Sequence, residues 1–316
     1  MVLTCGVFAV STLCTHAADL RIGIIGTDTS HVPAFTKLLN SEAGDSDHIP
    51  GVRVVAAYKG GSKDIPESWS RVEEYSGTLQ NKYGVKIYDS IEELCRNVDA
   101  VLIESVDGRP HLEEARPVLK ARKPAFIDKP MAGSLREAQE IFRLAREAKV
   151  PVFSSSGLRF AKSSQAVREG SIGRVTYAET YGPCEREPHH PDLFWYGVHG
   201  TEALFTVMGS GCETVQRGTT ADGKIEVTGT WSGGRKGIFR EDKSFHGLAK
   251  GEKGEAPVGA FDGYQPLVAA IMKFFQTGVA PVKPEETLEI LAFMEAADQS
   301  KANGGAPVKI SEVLKR

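Results

Sequence analysis

The chain has no surplus of positive charge: 38 Lys and Arg stand against 41 Asp and Glu, a net charge of −3. Without a basic block there is no electrostatic footprint for nucleic acid or an anionic membrane surface, and small molecules are the expected ligands. Cysteine is scarce. Of the five, Cys95, Cys184 and Cys212 lie beyond the N-terminal segment at wide spacings, an odd number that fits neither a disulfide framework nor a CxxC metal site. Long apolar runs are also missing. The uncharged stretch Val2 to Thr15 is shorter than the about 20 residues a membrane span needs. It runs into Thr15-His16-Ala17-Ala18 and reads as a signal peptide over 1–18, although no Lys or Arg precedes it. A periplasmic or secreted protein is expected from it, with Cys5 and Cys14 removed; the alternative is a buried N-terminal strand in a cytoplasmic protein.

At 316 residues the chain exceeds the size at which a single core usually keeps growing, so two domains are expected, 19–157 and 158–316. In the first, Leu20 to Ile25 is a short apolar run that closes on Gly26, and a second β-branched run, Val52 to Ala57, returns after the length of one βαβ unit. Further strands follow at Lys86 to Tyr88, Ala100 to Ile103, Ala125 to Ile127 and Pro151 to Ser154. They alternate with helices at Ile91 to Arg96, Leu112 to Ala121 and from the Ser134/Glu137 capping-box pair to Lys149. Strands that alternate with helices imply an α/β fold: a doubly wound, Rossmann-type parallel sheet. Past Arg159 the pattern changes to runs rich in Val, Thr and aromatics, such as Arg174 to Tyr181 and Lys224 to Trp231. An α+β domain with an open, mostly antiparallel sheet is expected there. One helix interrupts it at about Leu193 to Met208, and two more close the chain, the last able to pack back on the first domain.

A Rossmann turn usually carries three glycines, and here two are absent. Aligning Gly26 with the first places Asp28 and His31 at the second and third positions. Gly26, Thr27, Asp28 and His31 are the expected cofactor contacts of this turn, together with Ser105 just past the Ala100 to Ile103 strand. After the second strand, where an acid normally binds the adenosine ribose, the chain reads Tyr58-Lys59-Gly60-Gly61-Ser62-Lys63. Lys59 there suits a 2′-phosphate, so NADP is favoured over NAD.

The strings Arg21-Ile22-Gly23-Ile24-Ile25-Gly26, His111 opening a helix, Phe126-Ile127-Asp128-Lys129-Pro130, Gly157-Leu158-Arg159-Phe160 and Gly197-Val198-His199 together resemble the Gfo/Idh/MocA family. These are oxidoreductases related to glucose-fructose oxidoreductase and inositol dehydrogenase, and the resemblance covers about Leu20 to Val313. It implies that Lys129 sits beside the nicotinamide and the substrate hydroxyl, and that Asp128 contacts the nicotinamide ribose. Independently, Lys129 lies at the carboxyl end of a parallel strand, where open α/β sheets bind ligands, and an ammonium there can polarise a carbonyl or stabilise an alkoxide. The family's second motif, Asp-x-Gly-x-His, becomes Trp195-Tyr196-Gly197-Val198-His199 here. His199 matches the proton-transferring histidine, but its acid is gone. Asp192, if the helix starts early, or Glu202 is the replacement expected to orient it.

His189, His190, Asp192 and His199 read as loop composition rather than a ligand set, so no metal is expected. Trp195 and Tyr196 suit a platform for the apolar face of a sugar ring. The expected function is hydride transfer to or from a secondary hydroxyl of a sugar or cyclitol, with Lys129, His199 and Asp192 as catalytic residues, in a homo-oligomer. The alternatives are a lyase or glycoside hydrolase that works through a transient keto sugar with bound NAD(P), and a non-catalytic sugar-binding protein with a degenerate Rossmann fold.

Overall fold

The computed structural model describes residues 19–42 and 44–315; the expected signal peptide, 1–18, lies outside them. Six short strands, β1 (Leu20–Ile25), β2 (Val52–Tyr58), β3 (Lys86–Ile87), β4 (Ala100–Ile103), β5 (Ala125–Ile127) and β6 (Val152–Ser154), form one parallel sheet. Their spatial order is β3-β2-β1-β4-β5-β6, the doubly wound order whose direction reverses between β1 and β4. Alternate side chains of each strand face opposite layers. Ile25, Val101, Ile103, Ala125 and Ile127 meet the helices His111–Lys120 and Leu135–Ala148, the second capped by Ser134, whose hydroxyl accepts the Glu137 amide. Ile22, Ile24, Leu102, Phe126 and Phe153 point the other way.

That second face is covered by the helix His31–Asn40 and, from far along the chain, by Gln265–Thr277. Leu267, Val268, Ile271 and Phe274 of the latter are fully buried there, with the Phe274 ring edge-on to Phe153. At about 1.5–3 kcal/mol per buried side chain, this late helix is an integral part of the first core.

The second sheet has seven strands: β7 (Val175–Gly182), β8 (Cys212–Thr219), β9 (Ile225–Trp231), β10 (Arg235–Glu241), β11 (His246–Gly251), β12 (Gly254–Pro257) and β13 (Val308–Lys309). They lie in the order β12-β11-β7-β10-β9-β8-β13, antiparallel except where β10 meets β7. β11 and β12 do not register in the sequence pattern, because glycine and charged residues occupy the edge strand β12 and its neighbour β11. The helix Gly197–Met208 is buried along almost its whole length against the sheet. A Cβ at Gly200 would sit 2.3 Å from the Phe239 ring, so glycine lets the helix approach β10. This helix starts four residues later than the expected Leu193, because the preceding segment turns at Pro191, where the Phe194 amide bonds the Pro191 carbonyl.

Candidate active site

The carboxyl ends of the first sheet face the start of the helix Gly197–Met208 across a cavity of about 170 Å³. Lys129 enters it from the end of β5, His31 from the first turn of its helix and His199 from the second domain; Ser156, Tyr196 and Tyr264 complete much of the lining. Lys129 and His199, the two residues expected from the sequence to flank a nicotinamide, therefore share one cavity.

On the first-domain wall, Lys129 is buried with its Nζ 5.6 Å from the Tyr196 ring centre. Burial pushes its pKa down, offset in part by Asp128 and Glu104. Asp128 is spent on protein partners: Oδ1 accepts the Lys129 amide at 2.8 Å, and Oδ2 lies 2.6 Å from His31 Nδ1. Burial alone would raise the Asp128 pKa, but His31 and Lys129 hold it below the ordinary carboxylate value. Glu104, which follows the apolar run of β4, is fully buried; neither carboxyl oxygen has a hydrogen-bond partner among the described residues, and His31 Nδ1 lies 3.9 Å from Oε2. Burial and the neighbouring Asp128 push its pKa well above the usual range. A charged residue at the carboxyl end of Ala100–Ile103 is a signal that could have marked it.

On the opposite wall, His199 Nδ1 lies 2.7 Å from Ser156 Oγ, which also accepts the Leu158 amide. Glu202 does not touch the imidazole. It accepts the Ser156 amide (2.8 Å), the Ser155 hydroxyl (2.6 Å) and Arg159 Nε (2.6 Å), and so fixes the loop that carries Ser156. Burial pushes the His199 pKa well below the ordinary value, with the charges of Lys129 and His31 adding to the shift. Ser156 is absent from the expected site; the only hint was the Ser154-Ser155-Ser156 run after the last strand.

The expectation for Asp192 is not met. Its carboxylate pairs with Arg217 (3.1 Å) and Lys301 (2.7 Å), because the helix starts at Gly197 and leaves Asp192 in the preceding turn, off the face of His199. His189 and His190 both bind Glu187 and do not converge with Asp192 and His199. The three groups that do converge are His31, Glu104 and Asp128, whose ligand atoms lie within 4.8 Å of one another.

The nucleotide turn is covered. Gly26 has φ +83, and a Cβ there would lie 2.4 Å from both the backbone nitrogen and the Oγ of Ser105, so only glycine fits. Ser105 Oγ in turn donates to Glu114, whose pKa burial pushes up to about 8. Thr27 and Asp28 are wholly buried. Thr27 donates to the carbonyls of Lys59 and Val72, and Asp28 accepts Ser68 Oγ (2.5 Å) and the Val106 amide. Burial pushes the Asp28 pKa up to about 6. The segment 62–69 thus lies over the turn as a strap, stitched further by Ser62 to Asp107 (2.5 Å) and by Arg109 to Asp64 and Asp107. Of the expected cofactor contacts, Asp128, Lys129 and His31 reach the cavity or its wall, and Gly26, Thr27, Asp28 and Ser105 lie under or beside the strap. Lys59 is at the surface, paired with Glu73 at 2.8 Å.

Residues 20–156 match the Gfo/Idh/MocA family, described as an oxidoreductase family with an NAD-binding Rossmann fold. A 1,5-anhydro-D-fructose reductase of Ensifer adhaerens is 30% identical over 143 residues, which cover 43% of this chain and 43% of that protein. A myo-inositol 2-dehydrogenase of Thermotoga maritima is 31% identical over 129 residues, 39% of this chain and 37% of that protein. The matched stretch spans less than half the length of either relative. The crystal structure of scyllo-inositol dehydrogenase from Lactobacillus casei with bound NAD(H) and scyllo-inositol superposes with a TM-score of 0.72 at 14% identity, covering 93% of this chain and 99% of that one. At that identity the likeness is one of fold, and it extends through both sheets. Over residues 20–156 the chain is similar in sequence to the Gfo/Idh/MocA oxidoreductases, and its two-sheet architecture is similar to that of the Lactobacillus casei dehydrogenase.

Proposed function

We propose that the chain moves hydride between a nicotinamide dinucleotide and a secondary hydroxyl of a sugar or cyclitol. The observation that carries this reading is that Lys129 and His199, from different domains, line one cavity at the carboxyl end of the parallel sheet. The nicotinamide, when bound, supplies the hydride acceptor or donor. Lys129 supplies a fixed positive charge for the oxygen that changes between alcohol and carbonyl, and its low-dielectric setting strengthens that effect. Tyr196 and the buried Trp195 supply apolar faces for the ring.

The donor set fits the nicotinamide end of a dinucleotide. The pyrophosphate end fits only once the strap 62–69 moves, since Asp28 and Ser68 fill the space over the turn. For NADP over NAD the support is Lys59, whose ammonium a 2′-phosphate would have to win from Glu73. Titrating the purified protein with NADH and NADPH, then assaying inositols and aldoses for nicotinamide absorbance changes, tests the proposal. Absence of binding and of turnover with every pair sinks it.

A second reading, redox-neutral cleavage of a glycoside through a transient keto sugar, is favoured by the strap, which would retain a cofactor between turnovers. Cleaved glycoside with no net change in nicotinamide absorbance identifies it. Export to the periplasm or beyond is proposed on residues 1–18 alone, and N-terminal sequencing of the mature chain at Asp19 checks it. A homo-oligomer is proposed from the family resemblance, with light scattering as the measurement. No helix of the described residues is long and apolar enough to cross a membrane.

A further inference from the structure

We propose that His31, held by Asp128, is the acid–base group that exchanges the substrate hydroxyl proton, and that His199 serves as a neutral hydrogen-bond donor to the same oxygen. The assignment rests on the oxidoreductase reading above. Trp195 leaves His199 without its carboxylate, whereas His31, which lines the opposite wall, is paired with Asp128 behind it.

The geometry assigns different jobs to the two imidazoles. Asp128 is fixed at both oxygens and is kept ionised, so it accepts a proton from His31 Nδ1 across 2.6 Å. The hydrogen therefore resides on Nδ1, and Nε2 carries the bare lone pair of a general base. The ring has little freedom to turn, being stacked on Phe35 at 5.1 Å and met edge-on by Tyr264 at 4.8 Å. Nε2 takes no hydrogen bond from the described residues, and His31 lines the cavity beside Lys129.

His199 is anchored differently. Ser156 Oγ already accepts the Leu158 amide, so its own proton is free to point at His199 Nδ1. That leaves His199 with its hydrogen on Nε2, a donor aimed at the cavity. Its burial, with Lys129 and His31 nearby, disfavours a second proton. One imidazole held by a carboxylate and the other by a hydroxyl is the arrangement by which this site separates a base from a donor.

In the oxidation direction the hydroxyl O–H bond breaks and its proton passes to His31 Nε2. The carbinol C–H bond breaks with its electron pair, which leaves as hydride to oxidised nicotinamide, and the carbon–oxygen double bond forms. The alcohol is oxidised, the nicotinamide is reduced, and one proton is held as imidazolium beside Asp128. Glu104 keeps its own proton next to this pair, so the wall carries Asp128 and Lys129 as its compensating charges. A divalent cation among His31, Glu104 and Asp128 suits the geometry poorly. Two ligands side by side on a metal sit about 3 Å apart at bond lengths of about 2.1 Å, whereas His31 Nδ1 and Asp128 Oδ2 are at a proton-sharing 2.6 Å.

The test compares His31→Gln, His199→Gln and Asp128→Asn with wild type, using myo-inositol with NAD+ and 1,5-anhydro-D-fructose with NADPH as probes. His31→Gln is expected to lower kcat by about a hundredfold to a thousandfold, with KM changed by less than about threefold, and to abolish the low-pH limb of kcat/KM for myo-inositol oxidation. His199→Gln is expected to raise KM and keep that limb. Retention of the limb in His31→Gln, or its loss in His199→Gln alone, overturns the assignment. Imidazole nitrogen NMR on the unliganded protein gives a readout without turnover. The expected result is hydrogen on Nδ1 of His31, lost as a single tautomer in Asp128→Asn, and hydrogen on Nε2 of His199. Hydrogen on Nε2 of His31, or a bound metal in elemental analysis of the purified protein, overturns it equally. If wild type turns over neither probe while the tautomers are as expected, it is the oxidoreductase reading that has failed for these substrates, not the dyad.

Discussion

The two ends of the crevice along the first sheet differ sharply. At the Lys129 end, Lys129, His31 and His199 line an open cavity; at the Gly26 end, Thr27, Asp28, Ser62 and Ser68 are all bonded to other parts of the chain. Both ends lie at the carboxyl edge of the same parallel sheet, so the backbone fold does not account for the contrast. It comes from side chains at two positions that are usually glycine. A Gly at 28 would leave backbone amides facing a diphosphate, whereas Asp28 turns that space into a hydrogen-bonding site for Ser68 and Val106. His31 likewise takes up the carboxylate of Asp128.

The strongest way to break the contrast is at the open end. Lys129→Met is expected to lower turnover by about a thousandfold or more, through loss of charge at the reacting oxygen, while the thermal midpoint shifts by only a few degrees. Steady-state kinetics with thermal unfolding checks this, and near wild-type carbonyl reduction would show the assignment to be misplaced.

At the closed end, Asp28→Asn keeps partners for Ser68 and Val106 but removes the charge. Dinucleotide affinity at pH 7.5 is expected to rise about tenfold, the equivalent of about 1.4 kcal/mol. In wild type the same gain should appear as pH falls through about 6, where Asp28 takes up a proton. Fluorescence titration of NADH at several pH values reads both; an affinity indifferent to pH and to the substitution means the diphosphate does not approach this turn.

A smaller effect concerns stability. The folded-state pKa of Glu114, about 8, lies above its ordinary value, so its contribution is complete below the ordinary carboxylate pKa and is lost as pH rises through about 8. Glu114→Gln removes this loss and is expected to raise the thermal midpoint at pH 8.5 by a few degrees relative to wild type, with little gain at pH 4. Smallest of all, Asp192→Asn should leave turnover within about twofold and cost on the order of 1 kcal/mol, since its partners Arg217 and Lys301 are structural.

Much of this was legible along the chain. The six parallel strands follow from apolar runs at βαβ spacing, and Ser134 with Glu137 marks a helix start through a purely local bond. Lys129 and His199 are legible because their neighbours, Pro130 and Gly197, form short strings with meaning of their own. Ser156 is not, since its role depends on His199 arriving from 43 residues away. Asp192 misled because i, i+7 spacing matters only on a helix, and the turn at Pro191 delays that helix to Gly197.

By itself the sequence determined the class of fold, the boundaries of most of the first sheet and the presence of a lysine at its carboxyl edge, because periodicity, capping and strand termination are local properties. Which carboxylate serves which histidine, whether the turn at Gly26 faces a ligand or Ser68, and the enclosure of Glu104 beside His31 and Asp128 were decided only in the tertiary structure. These depend on distances between residues remote in sequence and on the exclusion of water around them, neither of which is encoded at any single position.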